Sequence, residues 1–190
     1  MVESLEKEAY GPKGESRLHL SLSELESGFD KLADPPRGTG RVSLIIRRLA
    51  DGTRETPESA SLTIAAGLRG DGWSRRPPRD LDAQLTVMRF DIARLIANGQ
   101  PLTLFGDNLL VDLDISQKNL PPGTHLQVGK CAVEVTSLAH NGCAKFKGRF
   151  GGDALRFTAL ERIRDQKIRG IHWRIIEEGE IGVGDPIEIR

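Results

Sequence analysis

The sequence has only two cysteines, Cys131 and Cys143. Two are too few for a disulfide scaffold, and a lone structural disulfide would be unusual in a reducing compartment. Both thiols are expected to be free. The chain also lacks an excess of charge, since 27 lysines and arginines balance 27 aspartates and glutamates. That removes any global attraction to nucleic acid or to an anionic membrane and leaves only local patches to consider. No apolar run has the length of a signal peptide or a bilayer span, so a soluble, cytoplasmic protein with no nucleic-acid or membrane partner is expected. The G-x-S-x-G elbow, the Walker A loop and the dinucleotide fingerprint are all missing, which leaves a serine hydrolase and the common nucleotide folds without support. "GLRGDG" holds three glycines but not at those spacings, and it signals a turn. With 190 residues the chain can bury one sizeable core, which suits one main domain and a short appendage better than a two-domain enzyme.

The first 20 residues are polar, with Gly11, Pro12 and Gly14 close together, and are expected to have no fixed structure. A helical extension follows over residues 21–38. Leu22, Leu25, Phe29 and Leu32 recur at helical intervals, Ser21 and Glu24 stand at capping-box spacing, and the two prolines of "ADPPRG" end the run. Its apolar face suits either packing on the main domain or dimerisation. From residue 39 to residue 190 short strands dominate. "RVSLIIRRL" and "SASLTI" have strand character, "AAGLRGDGWSRRPPRD" is a long Gly/Pro-rich loop, and "HLQVGKCAVEVTSLA" is a hairpin turning at Gly129 and Lys130. "DAQLTVMRFDIARLIANG" predicts a helix with a stripe of Leu85, Met88, Ile92, Leu95 and Ile96, capped by Asp80 or Asp82 at its start and Gly99 at its end. "DALRFTALERIR" predicts a short helix, and "HWRIIEEGEIGVGDPIEIR" a closing pair of strands. Without strand–helix alternation there is no basis for a parallel sheet, so the expected fold is mainly β, a closed or nearly closed barrel with a few peripheral α-helices.

Of the two thiols, Cys131 sits at an inward position of an alternating strand, where cysteine acts as a small hydrophobe. Cys143 has different company in "HNGCAKFKGRF": His140, Gly142, Lys145, Lys147 and Arg149. Positive charge favours thiolate, the form that attacks, carries sulfur or binds metal. The residues alone leave a working thiol and a structural one both open. Zinc has little support, because His140 and Cys143 offer two ligands and a structural site needs four. Two groups of arginines, Arg75, Arg76 and Arg79 in the long loop and Arg149, Arg156 and Arg169 around the cysteine segment, would suit an anion if they converged. Ordinary solvated charge is the alternative.

Several segments resemble the MOSC domain, named for the C-terminal domain of molybdenum cofactor sulfurase. "GDNLLVDLDIS" is similar to its G-E-N-L segment, "LPPGTHLQVGKCAVEVT" to its Pro-Gly turn and strand, "GCAKF" to its cysteine segment, and "GEIGVGDPIEI" to its terminal strand pair. Upstream, "GLRGDGW" resembles the family's G-L-x-G-D segment, with Gly72 where Arg or His is more usual. The resemblance runs from about Arg41 to Arg190. It implies a β-barrel-like MOSC fold over residues 39–190 and a molybdenum-pterin cofactor (molybdopterin) held by basic residues. It also implies that Cys143 is the functional thiol, carrying sulfur as a persulfide or ligating molybdenum. Asn108 and Asp71 carry over as cofactor-binding positions, and His140, Lys145, Arg149, Arg75 and Arg76 join them from local chemistry. The chain has no pyridoxal-phosphate domain of its own, so the sulfur-carrier version needs a separate donor such as a cysteine desulfurase, and a reductase of N-hydroxylated substrates needs an electron-transfer partner. A non-enzymatic module binding an anion or a partner is the competing class.

Overall fold

A computed structural model describes residues 11–75 and 77–190. Its strands are β1 (Thr39–Ile45), β2 (Arg47–Arg48), β3 (Arg54–Glu55), β4 (Ser59–Thr63), β5 (Gly67–Leu68), β6 (Leu85–Arg89), β7 (Leu109–Asp112), β8 (His125–Val128), β9 (Cys131–Val135), β10 (Ile171–Glu177), β11 (Gly179–Gly182) and β12 (Pro186–Ile189). The helices are α1 (Leu22–Phe29), α2 (Phe90–Ala97), α3 (Ala144–Phe150) and α4 (Gly152–Thr158). Seven strands close a barrel in the order β1-β12-β8-β9-β10-β6-β7, and a small sheet β11-β4-β5 and the ribbon β2-β3 flank it. The mainly β barrel expected from the strand pattern is therefore present. Closure leaves no unpaired edge within the barrel.

Two cores divide the apolar residues by strand face. In β6 and β7, Leu85, Val87, Leu109 and Val111 point into the barrel with Trp173, while Met88 and Leu110 point outward into a helical layer with Leu25, Ile92, Phe105, Phe150 and Phe157. A strand buried on both faces has no polar alternation to betray it. This explains the main correction. The predicted helix beginning near Asp80 is a strand through Arg89 followed by a helix from Phe90; Leu85 and Met88 mimic helical spacing only because both faces of β6 are covered. β6 and β7 pair in parallel, in register Val87 to Leu109, and α2 supplies the crossover that a parallel pair requires. Asp80 caps a short 3₁₀ turn, Leu81–Ala83, instead of the helix. At the other end Asn98, not Gly99, is the left-handed cap residue, its N–H donating to the Arg94 carbonyl.

Three further expectations are revised. The cysteine segment continues into helix α3, which was not expected. "DALRFTALERIR" splits into α4 and a 3₁₀ turn, Glu161–Gln166. The C-terminal pair is three strands, β10, β11 and β12. The β8/β9 hairpin is as expected, with Val128 opposite Cys131 and Cys131 fully buried. The capping box of α1 is also present: Glu24 N–H donates to Ser21 Oγ at 3.4 Å and Ser21 N–H to Glu24 Oε2 at 2.8 Å. The helix packs through Leu25 and Phe29 on the domain's own helical layer.

Residues 1–10 of the segment expected to lack fixed structure lie outside the described residues. Residues 11–20 run across α3. Arg149 Nε donates to the Pro12 carbonyl at 3.3 Å, His19 Nε2 lies 3.0 Å from the Arg149 carbonyl, and Glu15 N–H donates to Gln100 Oε1 at 2.7 Å. Gly14 is required there, because a Cβ would lie 1.8 Å from the Arg149 carbonyl oxygen.

Candidate functional site

The cationic pocket forms where the barrel meets the helical layer. Arg48 comes from β2, Arg54 from β3, Lys145 and Arg149 from α3, and Arg169 from the turn before β10. Together with Cys143 they line a cavity of about 160 Å³ whose described lining includes no carboxylate. Cys143 directly precedes α3, is exposed, and its carbonyl accepts from Lys147 N–H at 3.0 Å. Five cations drawn from four separate stretches of chain meet at this cavity, although the protein as a whole is neutral; two of them, Arg48 and Arg169, are paired with Asp71 and Asp107. Burial lowers the Arg149 pKa from its ordinary value.

Beneath the cavity lies a buried ion pair. Arg169 Nη1 donates to both oxygens of Asp107 at 3.0 Å, and Asp107 is 0% exposed. Burial alone would push the Asp107 carboxyl up; the Arg169 charge and its hydrogen bonds, together with the other nearby positive groups, outweigh this and hold it below the usual carboxylate range. The same guanidinium lies over the Phe146 ring at 4.9 Å, so Arg169 is fixed from two sides. Its Nε is buried and has no partner among the described residues, a donor left over at the cavity. His140 packs at a tilt against His172, with ring centroids 4.5 Å apart. Burial, then the Arg169 charge, depresses the His140 pKa to about 3, so its imidazole is neutral at physiological pH and contributes polarity but not charge. Its Nδ1 stays 3.7 Å from Asp107, beyond a hydrogen bond.

The residues predicted for the site separate into three groups. Cys143, His140, Lys145 and Arg149 line the cavity. Asp71 and Asn108 stand behind it. Asp71 accepts from the Arg48 backbone N–H at 2.8 Å, Arg48 Nε at 2.9 Å and Trp73 N–H at 2.9 Å, and so aims the Arg48 guanidinium. Asn108 Oδ1 accepts from Thr86 N–H and Thr86 Oγ1, each at 3.1 Å, while its own carbonyl accepts from Ile46 N–H at 2.8 Å, joining β6, β7 and β1 where they meet. Arg75 lies one layer further back, donating to the carbonyls of Arg48 at 2.7 Å and Gly70 at 2.8 Å. It therefore supports the strand that carries Arg48 instead of facing the cavity. Arg76 lies outside the described residues. Of the other arginines considered, Arg79 donates to the Ala65 carbonyl at 3.0 Å and Arg156 pairs with Asp153 on the surface; only Arg149 and Arg169 converge on the thiol.

Sequence reasoning did not single out Arg48, Arg54, Thr86 and Asp107. Asp107 stands inside the quoted "GDN", and a full charge just before a buried strand was a signal in its own right, since an unpaired buried carboxylate is not tolerated. Nothing local marks Arg48 or Arg54.

Two predictions follow from this scaffold. Asp71 is fully buried; burial would raise its pKa, but Arg48 lowers it from 3.8 to about 2. A depressed carboxylate contributes stability above its unfolded pKa and loses it as pH falls through the folded one, here roughly from pH 5 to pH 2, and the shift corresponds to about 2 kcal/mol. In urea titrations followed by tryptophan fluorescence, Asp71→Asn should be less stable at neutral pH but should lose about 2 kcal/mol less than wild type over that acid range. Parallel acid profiles would exclude the pair as the source. Gly170, between Arg169 and β10, has φ +106°, and a Cβ would lie 2.3 Å from the Val87 carbonyl oxygen. Gly170→Ala should cost at least about 2 kcal/mol, with the midpoint of the same titration moving accordingly.

Among the described residues no three His, Cys, Asp or Glu side chains cluster as a metal site, and no helix is long and apolar enough to cross a membrane. The family model for the MOSC domain matches residues 79–188. No curated protein matches the chain significantly. Among solved structures it is similar to the YuaD protein from Bacillus subtilis, at 16% identity, TM-score 0.61, over 82% of this chain and 98% of that one. It is also similar to YiiM from Geobacillus stearothermophilus, at 14% identity, TM-score 0.51, over 80% of this chain and 75% of that one. YiiM from Escherichia coli gives 18% identity and TM-score 0.50 over 79% of this chain and 69% of that one. At such identities the likeness is one of fold.

Proposed function

This chain belongs to the MOSC domain family, which is associated with molybdenum cofactor binding, and from that premise we propose that it holds a molybdenum-pterin cofactor or an activated sulfur group at Cys143. The supporting observation is the convergence of Arg48, Arg54, Lys145, Arg149 and Arg169 on one exposed thiol. The residues fit such a group: guanidinium and ammonium donors suit an anion, the leftover Arg169 Nε supplies a buried N–H, and a thiolate is a soft metal ligand. When bound, the cofactor supplies the metal and the remainder of its ligands. The chain's own work is to present Cys143 beside the cations, to hold the anionic group by Arg169 and its neighbours, and to keep His140 neutral so that it does not take a proton from the site.

As a sulfur carrier, the Cys143 Sγ thiolate attacks the outer sulfur of a persulfide on a separate donor such as a cysteine desulfurase. The donor's S–S bond breaks, its thiolate leaves, and a new Sγ–S bond forms, so the step needs no outside oxidant. Delivery to a nucleophilic organic acceptor repeats the exchange, with Cys143 leaving as thiolate; delivery to a metal as sulfide would in addition need two electrons, from the metal or from a second thiol that forms a disulfide with Cys143. In a second version Cys143 ligates molybdenum, and an electron-transfer partner supports reduction of an N-hydroxylated substrate. The small cavity, sized for a metal centre or a single anionic group, serves either version.

Intact mass with and without reductant, together with metal analysis, on protein from a molybdopterin-competent host tests the proposal. Sulfur released by reductant supports the carrier; molybdenum near one per chain supports the reductase. A bare thiol without metal would favour a non-enzymatic anion-binding module.

A further inference from the structure

A second cavity, about 510 Å³, is lined in part by residues 139–142, which lead into Cys143. It shares His140 and Arg169 with the first. Its walls combine two chemistries. Leu155, Ala159 and Ile168 are aliphatic, and Arg164, Lys167 and Arg169 are cationic, with no carboxylate among the described lining residues, although Arg164 pairs with Glu161 and Arg169 with Asp107 behind the wall. Lys167 occupies the left-handed region at φ +52°, which favours glycine or asparagine. It makes no ion pair among the described residues, so a charged side chain stands at the cavity where a residue without one would be conformationally easier. Gly142 lets the cysteine segment close against the opposite wall, since a Cβ there would meet Leu155 Cδ1 at 2.2 Å.

We infer that this second cavity binds a small organic acid, its carboxylate toward Arg164, Lys167 and Arg169 and its apolar body against Leu155 and Ile168. The volume suits a compact aromatic or short aliphatic acid, and the apolar walls would give a purely polar anion such as phosphate nothing to bury. Such a ligand would lie against residues 140–142, just before Cys143, while Cys143 itself lines the first cavity. A role for it as substrate rests on the function proposed above; its binding does not.

The test uses the whole ¹⁵N-labelled chain and benzoate as probe, followed by amide shifts. Saturable shifts are expected at Asn141, Gly142, Thr158 and Ala159. Benzyl alcohol and inorganic phosphate, each lacking one half of the recognised chemistry, should bind at least about tenfold more weakly. Lys167→Gly, which keeps the backbone unstrained and removes only the cation, should weaken benzoate by about tenfold. Absence of saturable shifts, shifts confined to the Lys145 and Arg149 face, phosphate binding equal to benzoate, or an unchanged affinity in Lys167→Gly would each overturn the inference. A Cys143 that holds neither sulfur nor metal would sink the proposed function and leave this binding result standing, so the two failures are distinguishable.

Discussion

Cys143→Ser is expected to abolish sulfur or molybdenum retention while leaving the fold intact. Serine removes the soft, ionisable sulfur and substitutes a hydroxyl, a far poorer nucleophile and metal ligand. Because Cys143 is exposed, unfolding stability should change by no more than about 0.5 kcal/mol. Cys131→Ser provides the opposite control. Cys131 is fully buried in the barrel and burial pushes its thiol up to about 11, so it is protonated and out of reach. Replacing it buries a hydroxyl at a cost of about 1–3 kcal/mol, with sulfur and metal content unchanged. Mass spectrometry and metal analysis on both variants read the first property, and urea titration the second. Retention of sulfur or metal in Cys143→Ser would remove Cys143 from the proposed chemistry, and the non-enzymatic module would become the better account.

The largest stability effect should come from Asp107. It is entirely buried and Arg169 is its ion-pair partner. Asp107→Ala leaves the guanidinium charge uncompensated in the interior and should cost about 3–5 kcal/mol. The double variant Asp107→Ala with Arg169→Met removes both charges, and much of the loss should return, because apolar replacement of a whole buried pair is close to neutral. The double variant should nonetheless lose anion or cofactor retention, since Arg169 lines the cavity. Stability and binding would thereby separate. The pH dependence has a fixed sign: with its folded pKa below the ordinary carboxylate value, Asp107 contributes stability above that ordinary value and loses it as pH falls through the lowered one. Asp107→Ala should therefore show a flatter acid limb than wild type. A single variant as stable as wild type, or a double variant still holding the cofactor, would refute the assigned role.

Much of the barrel was legible because its strands alternate. β8 alternates between a buried face in the barrel and a more exposed one, and β9 keeps the pattern at Val133, Glu134 and Val135, so a period of two survives in the sequence, and the turn at Gly129 marks the hairpin. The capping box at Ser21 was legible for the same local reason. β6 was not, since burial on both faces erased the alternation and Leu85 with Met88 imitated a helix. Helix α3 was hidden by its three glycine and lysine positions, whose weak helical pattern gains stability only when Phe146 and Phe150 reach the core beside Phe105.

The candidate site divides in the same way. Cys143, His140, Lys145 and Arg149 lie within ten residues of one another, so their proximity was readable as sequence. The sequence by itself determined a neutral chain with two free thiols, a mainly β barrel, and one cysteine in basic surroundings. Only the tertiary structure decided which arginines join it. Arg48 and Arg54 from an early ribbon and Arg169 from a late turn reach the thiol because barrel closure brings distant strand ends together, whereas Arg75 is turned back to support Arg48. Long-range convergence of this kind leaves no trace in spacing, because the side chains that share a field are set by packing and not by their separation along the chain.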